Sequence, residues 1–132
     1  DIHRLSEGRI NEVDFEVVQS YSFKDASSPT ALKVAGEAMR VFDVPTPERI
    51  PSAAGLAHAY DLTYLLALAI DRAGTTARPA VRDALEHLGP HDGLVGHYAR
   101  PFAPDRHEAL EPGMLRIMRY GNDGALLPIS QR

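Results

Sequence analysis

The segment Pro51–Gly74, PSAAGLAHAYDLTYLLALAIDRAG, constrains the fold more than any other stretch of the chain. Pro51 and Ser52 are helix start signals and Gly74 is a stop signal. Between them apolar residues fall on every side. Leu56, Tyr60, Thr63, Ala67 and Ile70 lie along one stripe, and Leu62, Leu66, Ala69 and Ala73 along another. A helix apolar all round is either buried or a membrane span. Ala53, Ala54, Gly55, Ala57 and Ala59 are small enough to let a neighbouring backbone approach its first turns closely.

A span is the weaker reading. Asp61 at a bilayer centre costs ~3 kcal/mol on the insertion scale, and His58 and Thr63 add to that, whereas each Leu or Ile returns only about 0.5 kcal/mol. The uninterrupted apolar run, Tyr64–Ile70, is far shorter than the ~20 residues a span needs. The expectation is a buried helix of a soluble protein. Such a helix needs partners, because burying a large apolar side chain contributes roughly 1.5–3 kcal/mol while ordering each residue costs about 1–2 kcal/mol.

The chain has 132 residues, the size of one domain. Its 14 Lys plus Arg against 18 Asp plus Glu give a net charge of -4, so no basic footprint for nucleic acid exists. The two signs are interspersed, which argues against charged tails and membrane-surface patches. With no cysteine, disulfides and thiolate metal sites are excluded, but the compartment is left open. The start, DIHRLSEGR, is polar and lacks the apolar core of a signal peptide. It also lacks Met, and the expectation is a processed or truncated chain.

Asp1–Asn11 reads as a frayed or helical lead-in. Val13–Phe23, VDFEVVQSYSF, alternates Val13, Phe15 and Val17 with Asp14 and Glu16, the pattern of a strand with one buried face. Lys24–Ser28 is a loop. Ser28 then caps a helix with Pro29 at its first position. Leu32, Ala35, Met39 and Phe42 form its apolar face, and it runs to about Asp43. Val44–Ile50, with Pro45 and Pro47, is an extended linker. After Gly74, Thr75 or Thr76 can cap a helix over Arg78–Leu88, with Val81, Leu85 and Leu88 as its stripe and Gly89-Pro90 as its end. His91–Phe102 is an irregular strand or hairpin arm. Met114–Tyr120 is a strand, Gly121–Gly124 a tight turn favouring positive φ, and Ala125–Ile129 the returning strand. The order is α/β or α+β. A lone first strand followed by three helices leaves its ladder unpaired unless something else supplies a partner.

No local motif carries chemistry. His87 and His91 are four apart, but Gly89-Pro90 breaks the helix between them, and His107-Glu108 lacks the second His of a zinc helix. There is no GxxxxGK[ST], GxGxxG or GxSxG. Ser20-Tyr21-Ser22 offers hydroxyls with no His and acid at a telling spacing. Asp14 and Glu16 read first as a solvated strand face, and Tyr60 and Tyr64 as helix packing. No catalytic residue, metal ligand or cofactor site is expected, and the chain is not expected to be an enzyme.

The order of several weak signals is more specific. Tyr60-Asp61-Leu62 opens the long helix, Ala73-Gly74 ends it, and a short helix follows at Ala80–Leu85. Asp92-Gly93-Leu94-Val95-Gly96 makes a turn, Phe102-Ala103-Pro104-Asp105 another, and Asp123-Gly124 a hairpin before the last strand. This succession, across nearly the whole chain, resembles the C-terminal part of the type I periplasmic ligand-binding proteins. The branch is that of the branched-chain amino-acid receptors of ABC transporters. The resemblance implies an α/β chain that is a C-terminal fragment of a two-lobed fold, with three helices, short strands and a C-terminal β-hairpin. Residues 1–132 would then be one partial domain. Residues 13–43 would be a strand and helix of the second lobe, and residues 51–132 would return mostly to the first.

In such proteins a small solute binds in the cleft and the lobes close on it. The resemblance therefore implies the solute-binding component of an ABC importer. Its solute would be a branched-chain amino acid, an amide or an organic acid, and its partner a transporter permease. Its place would be periplasmic or otherwise extracytoplasmic, with no nucleic-acid partner and no direct membrane insertion. The alternative is a ligand-sensing regulatory domain of the same fold. Carried over residue by residue, Asp14 matches the carboxylate that holds a ligand ammonium, although Phe15 stands where Gly is usual. Gly55, Leu56 and His58 match positions that face the cleft, and Tyr21 is a wall residue at the strand end. The fragment by itself is expected not to bind ligand. It is expected to self-associate through the apolar surface that the missing lobe would cover.

Overall fold

The computed structural model describes residues 2–24 and 26–129. Asp1, the first residue of the lead-in, and Asp25, within the Lys24–Ser28 loop, lie outside the described residues. In chain order the elements are α1 (Ile2–Leu5), β1 (Val17–Gln19), α2 (Pro29–Phe42), α3 (Ala53–Ala73), α4 (Arg78–Leu85), β2 (His91–Asp92), β3 (His97–Tyr98), β4 (Arg116–Tyr120) and β5 (Leu126–Pro128). Short 3-10 turns occur at Arg9–Glu12, Pro47–Arg49 and Pro112–Met114. The fold is α/β, and it divides into two compact units, Asp1–Ala54 with Leu115–Arg132, and Gly55–Met114.

The first unit is built on an antiparallel sheet of order β1-β4-β5. The first strand is thus not left alone. Val17, Val18 and Gln19 pair with Met118, Ile117 and Arg116. It is far shorter than the expected Val13–Phe23, because pairing stops after those three positions, and Val13 is exposed. Successive residues point to opposite faces. Met118 is fully buried on one face, while Val18 and Ile117, paired across the ladder, lie exposed on the other. The turn between β4 and β5 closes as its residues predict. Gly124 takes φ 84 and its N–H donates to the Gly121 carbonyl. The lead-in is helical and docks on this hairpin. The Asn11 side-chain amide donates to the Gly121 carbonyl at 3.1 Å, and Phe15 stacks on Tyr120 at 6.4 Å.

α2 starts and stops where its sequence signals place it. The Ser28 hydroxyl accepts from the Ala31 N–H at 3.1 Å, and Asp43 ends the helix in the left-handed region. Its buried face is Ala31, Ala35 and Ala38, however, and Leu32 and Phe42 of the expected face are exposed. Alanines permit a closer approach than leucines do, and here they make up the buried face. The Val44–Ile50 linker contains the 3-10 turn at Pro47–Arg49 and ends on a buried Ile50.

The second unit holds α3 from Gly55 onward, α4 and the β2-β3 hairpin. α3 begins at Ala53 rather than Pro51, after Ser52 at φ 54. It is not buried all round as its composition predicts. Only the line Ala57, Asp61, Leu65 and Ala69 is buried, and Leu62, Tyr64, Leu66 and Leu68 are exposed on either side of it. By length and composition α3 is apolar enough to cross a membrane. Its mid-helix Asp61, though, is a buried carboxylate bonded within this unit. α4 ends at Leu85, three residues short of the expected Leu88, and Thr75 bonds the Ala77 N–H ahead of it. Ala69, Val81 and Ala84 form a small core with Ile70, Ala73 and Leu85 packed against it.

Candidate functional site

Two sets of expected ligand residues fall in different units. In the first, Asp14 sits in the extended segment just ahead of β1 with its side chain exposed, and so does Glu16. Tyr21 follows β1 and is half-buried, its ring meeting Phe23 edge-on at 4.9 Å. Just beyond it, the Ser22 hydroxyl donates to the Leu126 carbonyl at 3.4 Å and accepts from the Lys24 N–H at 3.2 Å. In the second unit, Gly55, Leu56 and His58 lie in the opening turns of α3, Gly55 exposed and the other two half-buried. A surface pocket of about 500 Å³ in the first unit is lined by Glu16, Leu115, Arg116, Ile117, Pro128 and Ile129, and so by none of these five residues.

A buried, fully bonded carboxylate of the second unit is one that spacing alone did not single out as a site. Asp61 is 1% exposed, and its carboxylate accepts three hydrogen bonds. The Leu94 N–H donates to Oδ1 at 2.6 Å, the Val95 N–H to Oδ2 at 3.0 Å, and the Tyr98 hydroxyl to Oδ2 at 2.8 Å. A buried carboxylate is tolerable only when its lone pairs are occupied in this way. Gly93 makes the approach possible, since a Cβ there would lie 2.4 Å from Asp61 Oδ2. Burial pushes the Tyr98 phenol well above the usual tyrosine range, and the carboxylate beside it pushes the same way. The legible signal was the pair of motifs, Tyr60-Asp61-Leu62 and Asp92-Gly93-Leu94-Val95-Gly96. Their acid and their turn turn out to bond each other. Along the same helix Tyr60 and Tyr64 pack at 4.8 Å, as helix packing predicts, and Tyr64 stacks on His91 at 6.5 Å.

Among the described residues no three His, Asp or Glu side chains come together to hold a metal ion. His97 meets Asp92 at 2.6 Å as an exposed pair, and the exposed His107 meets the mostly buried Glu86 at 3.2 Å.

Among proteins of known structure, the chain is similar to a leucine-binding protein, LivK, of Thermotoga maritima. The two superpose with a TM-score of 0.70 at 21% identity, over 96% of this chain and 33% of that one. It is also similar to a periplasmic binding protein type 1 of Bordetella pertussis, with a TM-score of 0.67 at 21% identity, over 89% of this chain and 33% of that one. The fold is that of part of a type I periplasmic binding protein. The chain spans about a third of the length of these two proteins. No protein-family model and no curated protein matches the sequence.

Proposed function

We propose that this chain is the C-terminal portion of the solute-binding component of an ABC importer, acting outside the cytoplasm. Its solute is a small polar or amphipathic molecule such as a branched-chain amino acid, an amide or an organic acid. The protein delivers it to a permease and performs no chemistry on it. The observation that supports this reading is the superposition of 96% of the chain on a leucine-binding protein. Asp14 is the residue proposed to meet a ligand ammonium. Its exposed carboxylate can form a short charge-assisted hydrogen bond with such a group. Tyr21 in the first unit, and separately Gly55, Leu56 and His58 in the second, are proposed as ligand-facing residues. Closure of a two-lobed receptor then draws on the solute's higher affinity for the closed state. We read α3 as a helix of the fold rather than a span, a reading supported by the bonds that tie Asp61 to the 94–98 turn.

Calorimetric titration tests this on the longest polypeptide that carries the sequence, with L-leucine, L-valine and their amide and keto-acid analogues as probes. One of them should bind saturably and be recovered unchanged. Asp14→Asn should weaken an amino-acid ligand by about tenfold or more, the loss of a hydrogen bond to a charged group. Absence of binding by all of the probes would overturn the reading. A fused output domain on that polypeptide would point instead to a sensor of the same fold.

A further inference from the structure

We infer that Asp61 is a positioning residue that sets the rotation and height of the first turns of α3, and with them the wall formed by Gly55, Leu56 and His58. The inference rests on the reading of those three residues as ligand wall. Its geometry lies wholly within the second unit.

The side chains that bury in the opening turns of α3 and just beyond are Ala57, Asp61 and Leu65, one line with four-residue spacing, and the flanks at Leu62 and Tyr64 face solvent. Apolar contacts along such a line are non-directional and permit a small roll or slide. Asp61 does not permit it. Two successive backbone N–H groups, of Leu94 and Val95, each reach a different carboxylate oxygen, which fixes the plane of the group. The Tyr98 hydroxyl adds a third direction on Oδ2. Gly93 closes the remaining side so tightly that a methyl group there would strike the carboxylate. His58 is just under one helical turn before Asp61, so a roll at Asp61 is carried directly to the wall. A buried acid in the middle of an apolar helix is costly. The fork explains its presence, since an apolar residue of the same size would leave the Leu94 and Val95 N–H groups without acceptors.

Hydrogen exchange resolved by residue tests the inference on the chain, without any ligand. The amides of Ala57–Tyr60 bond carbonyls of Ala53–Leu56 in a regular α-helix and so report on the wall directly. Tyr98→Phe, which removes one bond and keeps the carboxylate, should speed exchange at residues 57–60 several-fold. Asp61→Asn, which turns an acceptor into a donor facing a donor, should speed it by about tenfold or more. The amides of α4, in the same unit, should be unchanged in both. If exchange rises at Leu94 and Val95 while residues 57–60 stay as they were, Asp61 is a staple of the turn alone and the inference is overturned. The same holds if α4 accelerates by the same factor, which marks destabilisation of the whole second unit. Should Asp61→Asn fail to fold, Tyr98→Phe decides by itself. Failure of the ligand reading appears separately, in the titration of the longer polypeptide.

Discussion

The hairpin β2-β3, with its turn, and the sheet β1-β4-β5 are both made of short strands, yet they are finished to different degrees. At the turn every buried polar group that matters is answered nearby. Leu94, Val95 and Tyr98 converge on Asp61, and Gly93 leaves the room they need. At the sheet one face is complete, with Met118 fully buried, and the other shows the cross-strand pair Val18 and Ile117 to solvent. Helix α3 repeats the contrast within itself, a buried line flanked by exposed Leu62, Leu66, Tyr64 and Leu68. The lesson is about distance in the fold. Polar knots that join segments a few dozen residues apart are made within this chain. The apolar residues Val18 and Ile117 of the sheet and the flanks of α3 are left exposed, and the chain spans only a third of the proteins it superposes on.

The sharpest way to break this contrast is at the finished end. Asp61→Ala removes the acceptor from the buried Leu94 N–H, the half-buried Val95 N–H and the buried Tyr98 hydroxyl, at about 1–3 kcal/mol for each group left unsatisfied. Thermal melts followed by circular dichroism should show the second unit lost at ordinary temperature. Met118→Ala should cost about 2–5 kcal/mol, as for other buried Met truncations, and the loss should appear in the first unit. Ile117→Thr, on the open face one residue away, should stay within about 0.5 kcal/mol of the parent. Equal effects at these neighbouring positions would show that both faces of the sheet are covered. Gly93→Ala should cost about 1–3 kcal/mol by overpacking. Combined with Asp61→Ala it should cost much less than the sum, because the side chain it strikes is gone. Strict additivity would contradict the close approach.

The smallest expected effect is one of pH. The Tyr98 phenol titrates above the ordinary tyrosine range, chiefly through burial and then through Asp61. Stability from keeping it neutral is therefore fully present below a pH of about 10, the unfolded value. It is lost as pH rises from there toward the raised folded value. Alkaline titration of the second unit should show that decline in the parent and a shallower one in Tyr98→Phe. Identical slopes would place the phenol in an ordinary environment.

Much of the fold was legible because its signals are local. Ser28 with Pro29, Asp43 and the Gly121–Gly124 turn each act through their own backbone, and each does what its chemistry predicts. What misled is set by neighbours. The period of apolar residues in α3 cannot say which side meets a partner, so a helix apolar all round was expected to be buried all round. In α2 the same ambiguity favoured Leu32 and Phe42 over the alanines that pack. The alternation at Val13–Phe23 is a fair strand pattern, but strand length is decided by pairing, and β4 offers partners only to Val17–Gln19. Of the candidate site, the residue types at Asp14 and Gly55–His58 could be read off the chain. Asp61 could not be weighed from the sequence alone, since its donors lie 33 to 37 residues away.

If Val18, Ile117 and the flanks of α3 are surfaces of a larger binding fold, the 132-residue chain by itself should not remain single in solution. Sedimentation equilibrium over a wide concentration range measures this most directly. The average mass should climb with concentration, and Leu62→Glu with Leu66→Glu should bring it back toward one chain. A constant monomer mass up to the solubility limit would contradict the idea that these faces belong under further layers of protein.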